Sequence, residues 1–224
     1  AGEASQQQGV LIASPLLNEY MRSYAVLRQV SLRLAERGIS SLRFDFNGLG
    51  NSLGDLSQVS IDEWANNLSD AMDELQRRSG CETVTVIGVR FSSHLVSALS
   101  QVRDIENLVL WDPVIDGGMW HEELLGVQSR HFDKLDLRPD HNNQEYYGHV
   151  VSESFAEDLQ ARSFDAIRAK RIAAVTTEDE QLPDALAKVC SEHLTVPFQC
   201  EWRAVISEVI YSRHLVQAFS EAVK

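Results

Sequence analysis

Thr83-Val84-Thr85-Val86-Ile87-Gly88-Val89-Arg90-Phe91-Ser92 decides how this chain folds. The first five residues form a β-rich, apolar run of the kind found when a strand is covered on both faces. Phe91 to Val102 then reads as a helix. Between the two, Gly88-Val89-Arg90-Phe91-Ser92 is a sharp strand-to-helix turn with arginine at its third position.

The same alternation continues outward in both directions. Gly9-Val10-Leu11-Ile12-Ala13-Ser14 is a short apolar strand, and Tyr20 to Arg37 is a helix with Leu27, Val30 and Leu34 on one face and Gly38 as its stop. Ile39 to Phe46 reads as a strand and is followed by a glycine-rich turn. Ser60-Ile61-Asp62-Glu63 is a capping box for a helix with Trp64, Leu68, Met72 and Leu75 on one stripe, ending at Gly80. Beyond the central turn come strands Asn107–Trp111 and Arg171–Thr176, a short helix Asp184–Cys190, a last strand Val196–Trp202 and a closing helix Ser212–Val223. The pattern predicts an α/β fold, a doubly wound and mostly parallel sheet. Regularity breaks after Asp116, so residues 117–165 read as a small cap inserted into a core of residues 1–116 and 166–224.

Composition narrows the partners. Lys+Arg of 20 against Asp+Glu of 33 gives a net charge of −13, which repels phosphate backbones and anionic lipid. Nucleic acid and membrane are therefore not expected partners. No apolar run reaches the ~18 residues of a membrane span, and residues 1–8 lack the basic and apolar regions of a signal peptide. Cys81, Cys190 and Cys200 are few and far apart, as for reduced thiols in the cytoplasm. His121, His131, His141 and His149 lack metal-ligand spacing, so neither a metal nor a cofactor is expected.

Three motifs in order carry a resemblance. Asp45-Phe46-Asn47-Gly48-Leu49-Gly50-Asn51-Ser52 resembles the D-x-R-G-x-G-x-S turn of the α/β hydrolases. Gly88–Ser92 falls where that superfamily places its G-x-S-x-G nucleophile elbow. Leu108 to Asp116 resembles the next strand and turn of the serine-aminopeptidase-like branch, in particular the small hydrolase-like proteins of exosortase systems and polyketide or tetronate clusters. The resemblance implies an α/β-hydrolase fold that begins at the family's third strand, without its N-terminal hairpin. It also implies an oxyanion loop at Ser14 to Tyr20, so that Leu16, Leu17, Glu19 and Tyr20 join Phe91, Asp112 and Trp120 as candidate substrate-binding residues. The sheet edge that such a missing hairpin would expose is a place for a homodimer partner or a loop.

Arg90 stands where the family carries its nucleophilic serine. At a helix N-terminus a guanidinium adds fixed charge to free N–H groups, so the elbow reads as an anion clamp; the alternative is an ion pair with Asp112 or Glu19. Ser92 and Ser93 are the replacement nucleophiles to weigh, and the geometry of the helix favours packing for both, as it does for His94. The family acid would follow Thr176, where Glu178, Asp179 and Glu180 read as a solvated turn. The family histidine would follow Trp202, yet residues 203–211 hold none; His214 and His149, beside Tyr146 and Tyr147, are the candidate bases with Arg90 as the catalytic cation.

Three functions follow. The first is a lyase that eliminates acetate, or a similar acyl group, from an acidic small molecule, as the resemblance to polyketide and tetronate proteins implies. The second is an ester or thioester hydrolase using Ser92 or an activated water. The third is a catalytically dead scaffold that binds a ligand, expected to be an anionic small molecule.

Overall fold

In the computed structural model, which describes residues 7–136, 145–164, 166–204 and 209–223, six strands form one sheet in the order β2-β1-β3-β4-β7-β8. The strands are β1 (Gln8–Ala13), β2 (Ser40–Arg43), β3 (Thr83–Val89), β4 (Asn107–Trp111), β7 (Arg171–Thr177) and β8 (Glu192–Val196). Every neighbouring pair is parallel. Parallel pairing needs a crossover between strands, and the helices supply it. Residues 1–6 and His141, both read above from sequence, lie outside the described residues.

Side chains alternate between the two faces of each strand. Val10, Ile12, Ile87, Val89, Val109 and Trp111 share one apolar layer with α1 (Asn18–Glu36) and α7 (Arg213–Ala222). Leu11, Ala13, Val84, Val86, Leu108 and Leu110 share the other with α2 (Ile61–Ser79) and α3 (Ser92–Val102). Both faces are therefore dry, which is why β3 and β4 read as continuous apolar runs. The doubly wound α/β fold expected from the sequence is the one observed.

The described part of the segment after β4 holds regular elements. It contains α4 (Gly117–Lys134), a hairpin of β5 (Glu145–Tyr146) and β6 (His149–Val150), and α5 (Glu153–Ala161). At Gly117 a Cβ would run into the Leu159 carbonyl, so only glycine lets α4 start this close to the end of α5. The Asp116 side chain accepts from Met119 N at 2.8 Å and caps α4.

Some boundaries differ from expectation. The last strand lies at Glu192–Val196, not Val196–Trp202. Pro197 has no N–H for the ladder and ends it, while the mixed polarity of Glu192 to Val196 suits an edge strand. At the opposite edge, β2 pairs with β1 alone among the described residues and spans Ser40–Arg43, shorter than the expected Ile39–Phe46. The short helix α6 covers Asp184–Ala187 and stops before Cys190. Ser60 caps α2 as read, accepting from Glu63 N at 3.1 Å. Glu63, however, takes Asn47 Nδ2 at 2.7 Å, which ties the Asp45–Ser52 turn to α2. Among the described residues no helix is long and apolar enough to cross a membrane.

Candidate functional site

The elbow backbone is intact. Arg90 holds φ at 52°, a left-handed conformation that is uncommon for a residue other than glycine. Backbone hydrogen bonds help to fix it, among them Arg90 N to Trp111 O at 3.0 Å and Ser93 N to Arg90 O at 3.1 Å. At Gly88 a Cβ would stand 3.0 Å from Val96 Cγ2, so the bare backbone is what lets α3 lie on β3.

The guanidinium above this turn is 2 % exposed and surrounded by acids. Nε donates to Glu19 Oε1 at 2.9 Å, and Nη2 donates to Glu123 Oε1 at 2.5 Å. Nη1 has longer contacts, 3.4 Å to the Asp112 carbonyl and 3.9 Å to Glu180 Oε2. The Trp202 ring centroid is 5.3 Å from the guanidinium carbon. Burial works against the charge, but the carboxylates of Glu19, Glu123 and Glu180 outweigh it and raise the Arg90 pKa. Of the two partners expected from sequence, Glu19 pairs through its side chain, whereas Asp112 accepts a hydrogen bond through its backbone carbonyl.

Glu123 and Glu180 are shared with a second arginine. Arg203 Nε lies 3.1 Å from Glu123 Oε2, and its Nη1 donates to Glu180 Oε1 at 2.7 Å. The two carboxylates are thus held between a buried guanidinium and one that is 52 % exposed. Beside them is a cavity of about 450 Å³ whose walls include Pro113, Val114, Ile115, Met119 and Trp120.

The oxyanion-loop candidates divide. Leu16 and Leu17 are buried, and Leu17 has φ 53° at the start of α1. Glu19 reaches Arg90 and also accepts from Trp120 Nε1 at 3.3 Å, while Oε2 has no hydrogen-bond partner. Burial exceeds the pull of Arg90 and raises the Glu19 pKa. Tyr20 is directed elsewhere, its hydroxyl donating to Asp45 Oδ1 at 2.6 Å. Phe91 stacks on Trp120 with centroids 4.6 Å apart and rings 12° from parallel.

The candidate bases are not brought to Arg90. His149 lies in the β5–β6 hairpin and lines a separate hollow with Gly48, Gly54 and Leu56. Burial holds its pKa below 6.5. His214 is exposed in the first turn of α7, because residues 197–204 run as a loop and place residue 214 in the helix that follows. Ser92 is fully buried and donates to Ser14 O at 2.5 Å, and Ser93 donates to Arg90 O at 2.6 Å. Both hydroxyls are used in fixing the elbow. Ser92→Ala is expected to cost about 1–2 kcal/mol of stability, since it orphans a buried carbonyl. Chemical denaturation measures the cost, and ester turnover that vanished with the hydroxyl would return Ser92 to catalysis.

The acids after β7 are not simply a solvated turn. Asp179 accepts from Cys200 N at 3.1 Å and Glu201 N at 2.8 Å, clamping the loop after β8, and Glu180 belongs to the arginine pair. Glu178 alone of the three is only an exposed loop residue that hydrogen bonds through its backbone. Sequence reading assigned no role to Glu123, Arg203 or Trp202. The last two adjoin the end of the expected strand Val196–Trp202, which is the local mark they carry. Glu123 is one acid among several on α4, and nothing in the chain marks it. Among the described residues no cluster of histidine, cysteine and acid is arranged to hold a metal.

Among the described residues Asp112 is the other acid buried as deeply as Glu19. It accepts from Thr177 N at 2.8 Å, Thr177 Oγ1 at 2.9 Å and Trp202 Nε1 at 2.8 Å. Burial nevertheless outweighs these donors and pushes its pKa from 3.8 up to about 6. Between those values the folded protein binds a proton that the unfolded chain has released, so stability falls as pH rises through the window. A shift of this size corresponds to roughly 3 kcal/mol. Urea unfolding of wild type and Asp112→Asn should show wild type losing stability relative to the variant as the pH rises from 4 to 6. A constant difference would mean that Asp112 does not carry the proton.

No family model matches this chain, and no curated protein matches it. Solved structures do. A lidless α/β serine hydrolase from Xanthomonas campestris is similar at 15 % identity and TM-score 0.59, covering 98 % of this chain and 82 % of that one. Est1E from Butyrivibrio proteoclasticus, solved with ferulic acid, is similar at 18 % identity and TM-score 0.61, covering 96 % and 86 %. A soluble variant of monoglyceride lipase from Saccharomyces cerevisiae is similar at 12 % identity and TM-score 0.60, covering 99 % and 86 %. Identities this low establish the fold alone, and the fold is that of the α/β hydrolases.

Proposed function

We propose that this chain is a small-molecule-binding protein on a hydrolase scaffold, one that forms no acyl-enzyme. The observation that carries the reading is the state of Arg90. It is 2 % exposed at the tip of the elbow and bound by carboxylates of three different elements. A guanidinium cannot attack an ester and cannot act as a base near neutral pH. The buried serines are committed to backbone carbonyls, and neither candidate histidine is in the constellation. The neighbouring cavity of about 450 Å³ is of the size small ligands use.

Elimination of acetate from an acylated, acidic substrate is a second reading. One observation favours it: Nη1 is the least engaged nitrogen of Arg90, and Arg90 lines the cavity. Holding an enolate there would require the anion to compete with Glu180. Incubation with p-nitrophenyl esters and with β-acetoxy acids in H₂¹⁸O, followed by mass spectrometry, decides between the readings. The expected result is no turnover above buffer. Alkene and acetate without added ¹⁸O would establish elimination, and labelled acetate would establish hydrolysis; either would overturn the binding reading.

A further inference from the structure

The charges around the cavity do not favour an anion. Three arginines line it, Arg90, Arg130 and Arg203, against four acids, Asp116, Glu122, Glu123 and Glu180, with Glu19 behind Arg90. The whole chain adds a field of −13. Within this set, Glu123 turns one oxygen inward to Arg90 and the other outward to Arg203, while Glu180 gives Oε1 to Arg203 and shares Oε2 between Arg203 at 3.4 Å and Arg90 at 3.9 Å.

The two arginines are not equivalent. Arg90 is 2 % exposed and its charge is needed to compensate Glu19, so no ligand can replace it without unfolding the site. Arg203 is 52 % exposed, rises from a loop and is held by contacts of 2.7 to 3.4 Å. Because its side chain is half exposed, water can solvate the guanidinium when it leaves the carboxylates, so it can be exchanged. Its backbone carbonyl is anchored separately, accepting from Arg130 Nη2 at 2.9 Å. If the Arg203 side chain swings away, two largely buried carboxylates and Glu19 share only Arg90. A planar cation suits the seat it leaves, since two carboxylate oxygens already accept a guanidinium there. The same cavity also offers apolar wall residues, Pro113, Val114, Met119 and Trp120.

We propose that the position now filled by the Arg203 guanidinium is a recognition seat for a ligand carrying an amidinium or guanidinium on an apolar body, and that Arg203 is its built-in competitor. This rests on the binding function proposed above and names its ligand class. The occupant is an organic cation, in contrast to the anion expected from Arg90 in sequence.

Calorimetric titration of wild type and Arg203→Ala with benzamidine tests the proposal, with benzoate as the anionic counterpart of the same shape. Removing the competitor is expected to tighten benzamidine binding about tenfold, while benzoate gains nothing. Adding Glu180→Gln should abolish the gain, whereas the distant Glu221→Gln should not, which separates the seat from general attraction to an acidic protein. Arg203→Lys, which keeps a charge but loses the planar fork, provides a second reading should the alanine variant fail to fold; it is expected to bind benzamidine more tightly than wild type. Equal benzamidine affinity in wild type and the Arg203 variants, or preference for benzoate, overturns the proposal. Turnover in the ester and β-acetoxy acid assays would instead remove the binding function, so the two failures are read by different measurements.

Discussion

Arg90→Met is expected to destabilise the protein by about 3–5 kcal/mol, the range for removing one partner from a buried ion pair. Methionine fills much of the aliphatic volume, so cavity formation is a minor part of the loss. The cost lies in Glu19, 2 % exposed and left without its cation, and in Glu123, left with Arg203 alone. A double variant, Arg90→Met with Glu19→Leu, should recover much of the loss, because a neutral pair of similar volume has no charge to compensate. Urea denaturation of the four proteins of this cycle gives the coupling energy, expected to exceed about 1 kcal/mol. Additive losses would mean that Arg90 and Glu19 do not depend on each other. The arginine would then be free to serve a substrate, as the elimination reading requires.

Trp202→Ala is expected to cost about 3–5 kcal/mol, as for other large aromatic side chains removed from a core. Trp202 is 1 % exposed, meets Trp111 edge-on at 5.2 Å and lies under the Arg90 guanidinium. It also donates to Asp112 Oδ2, so its loss removes a group that favours the ionised acid. The pH window over which wild type loses stability should therefore extend upward past about 6 in the variant. Trp202→Phe separates the two effects. The ring remains, the N–H is lost, and the expected cost is about 1–3 kcal/mol. An unchanged pH window in both variants would detach Trp202 from Asp112.

Much of this fold is legible in the chain because its signals are local. β4 was read with its observed limits, since Asn107 to Trp111 is an apolar run between polar neighbours. Ser60 and Gly80 mark α2 because a cap and a left-handed stop act within one turn of the helix. The last strand was misplaced for the same reason. Val196 to Trp202 is the more apolar stretch, but Pro197 breaks it, and an edge strand does not need full apolarity.

The site was legible only in part. Its central residue is visible from sequence because an elbow is a local strand–turn–helix signal, and Arg90 stands at its tip. Glu19 was among its foreseen partners. Glu123, Glu180 and Arg203 are 33, 90 and 113 positions away from Arg90 and arrive from α4 and from the loops after β7 and β8. No spacing rule connects such residues; parallel strands deliver their C-terminal ends to one edge of the sheet, and that convergence exists only in three dimensions.

By itself, then, the sequence determined a doubly wound sheet, a sharp strand–turn–helix and a cation at the tip of that turn. These depend on periodicity, caps and turn chemistry, which act over a few residues. The tertiary structure decided what the cation does. It removed water from Arg90, placed three carboxylates around it and left His149 and His214 elsewhere. A guanidinium in solvent would attract anions, but one already enclosed by acids has its charge compensated within the protein. Burial and long-range proximity make that difference, and neither is written in the local order of residues.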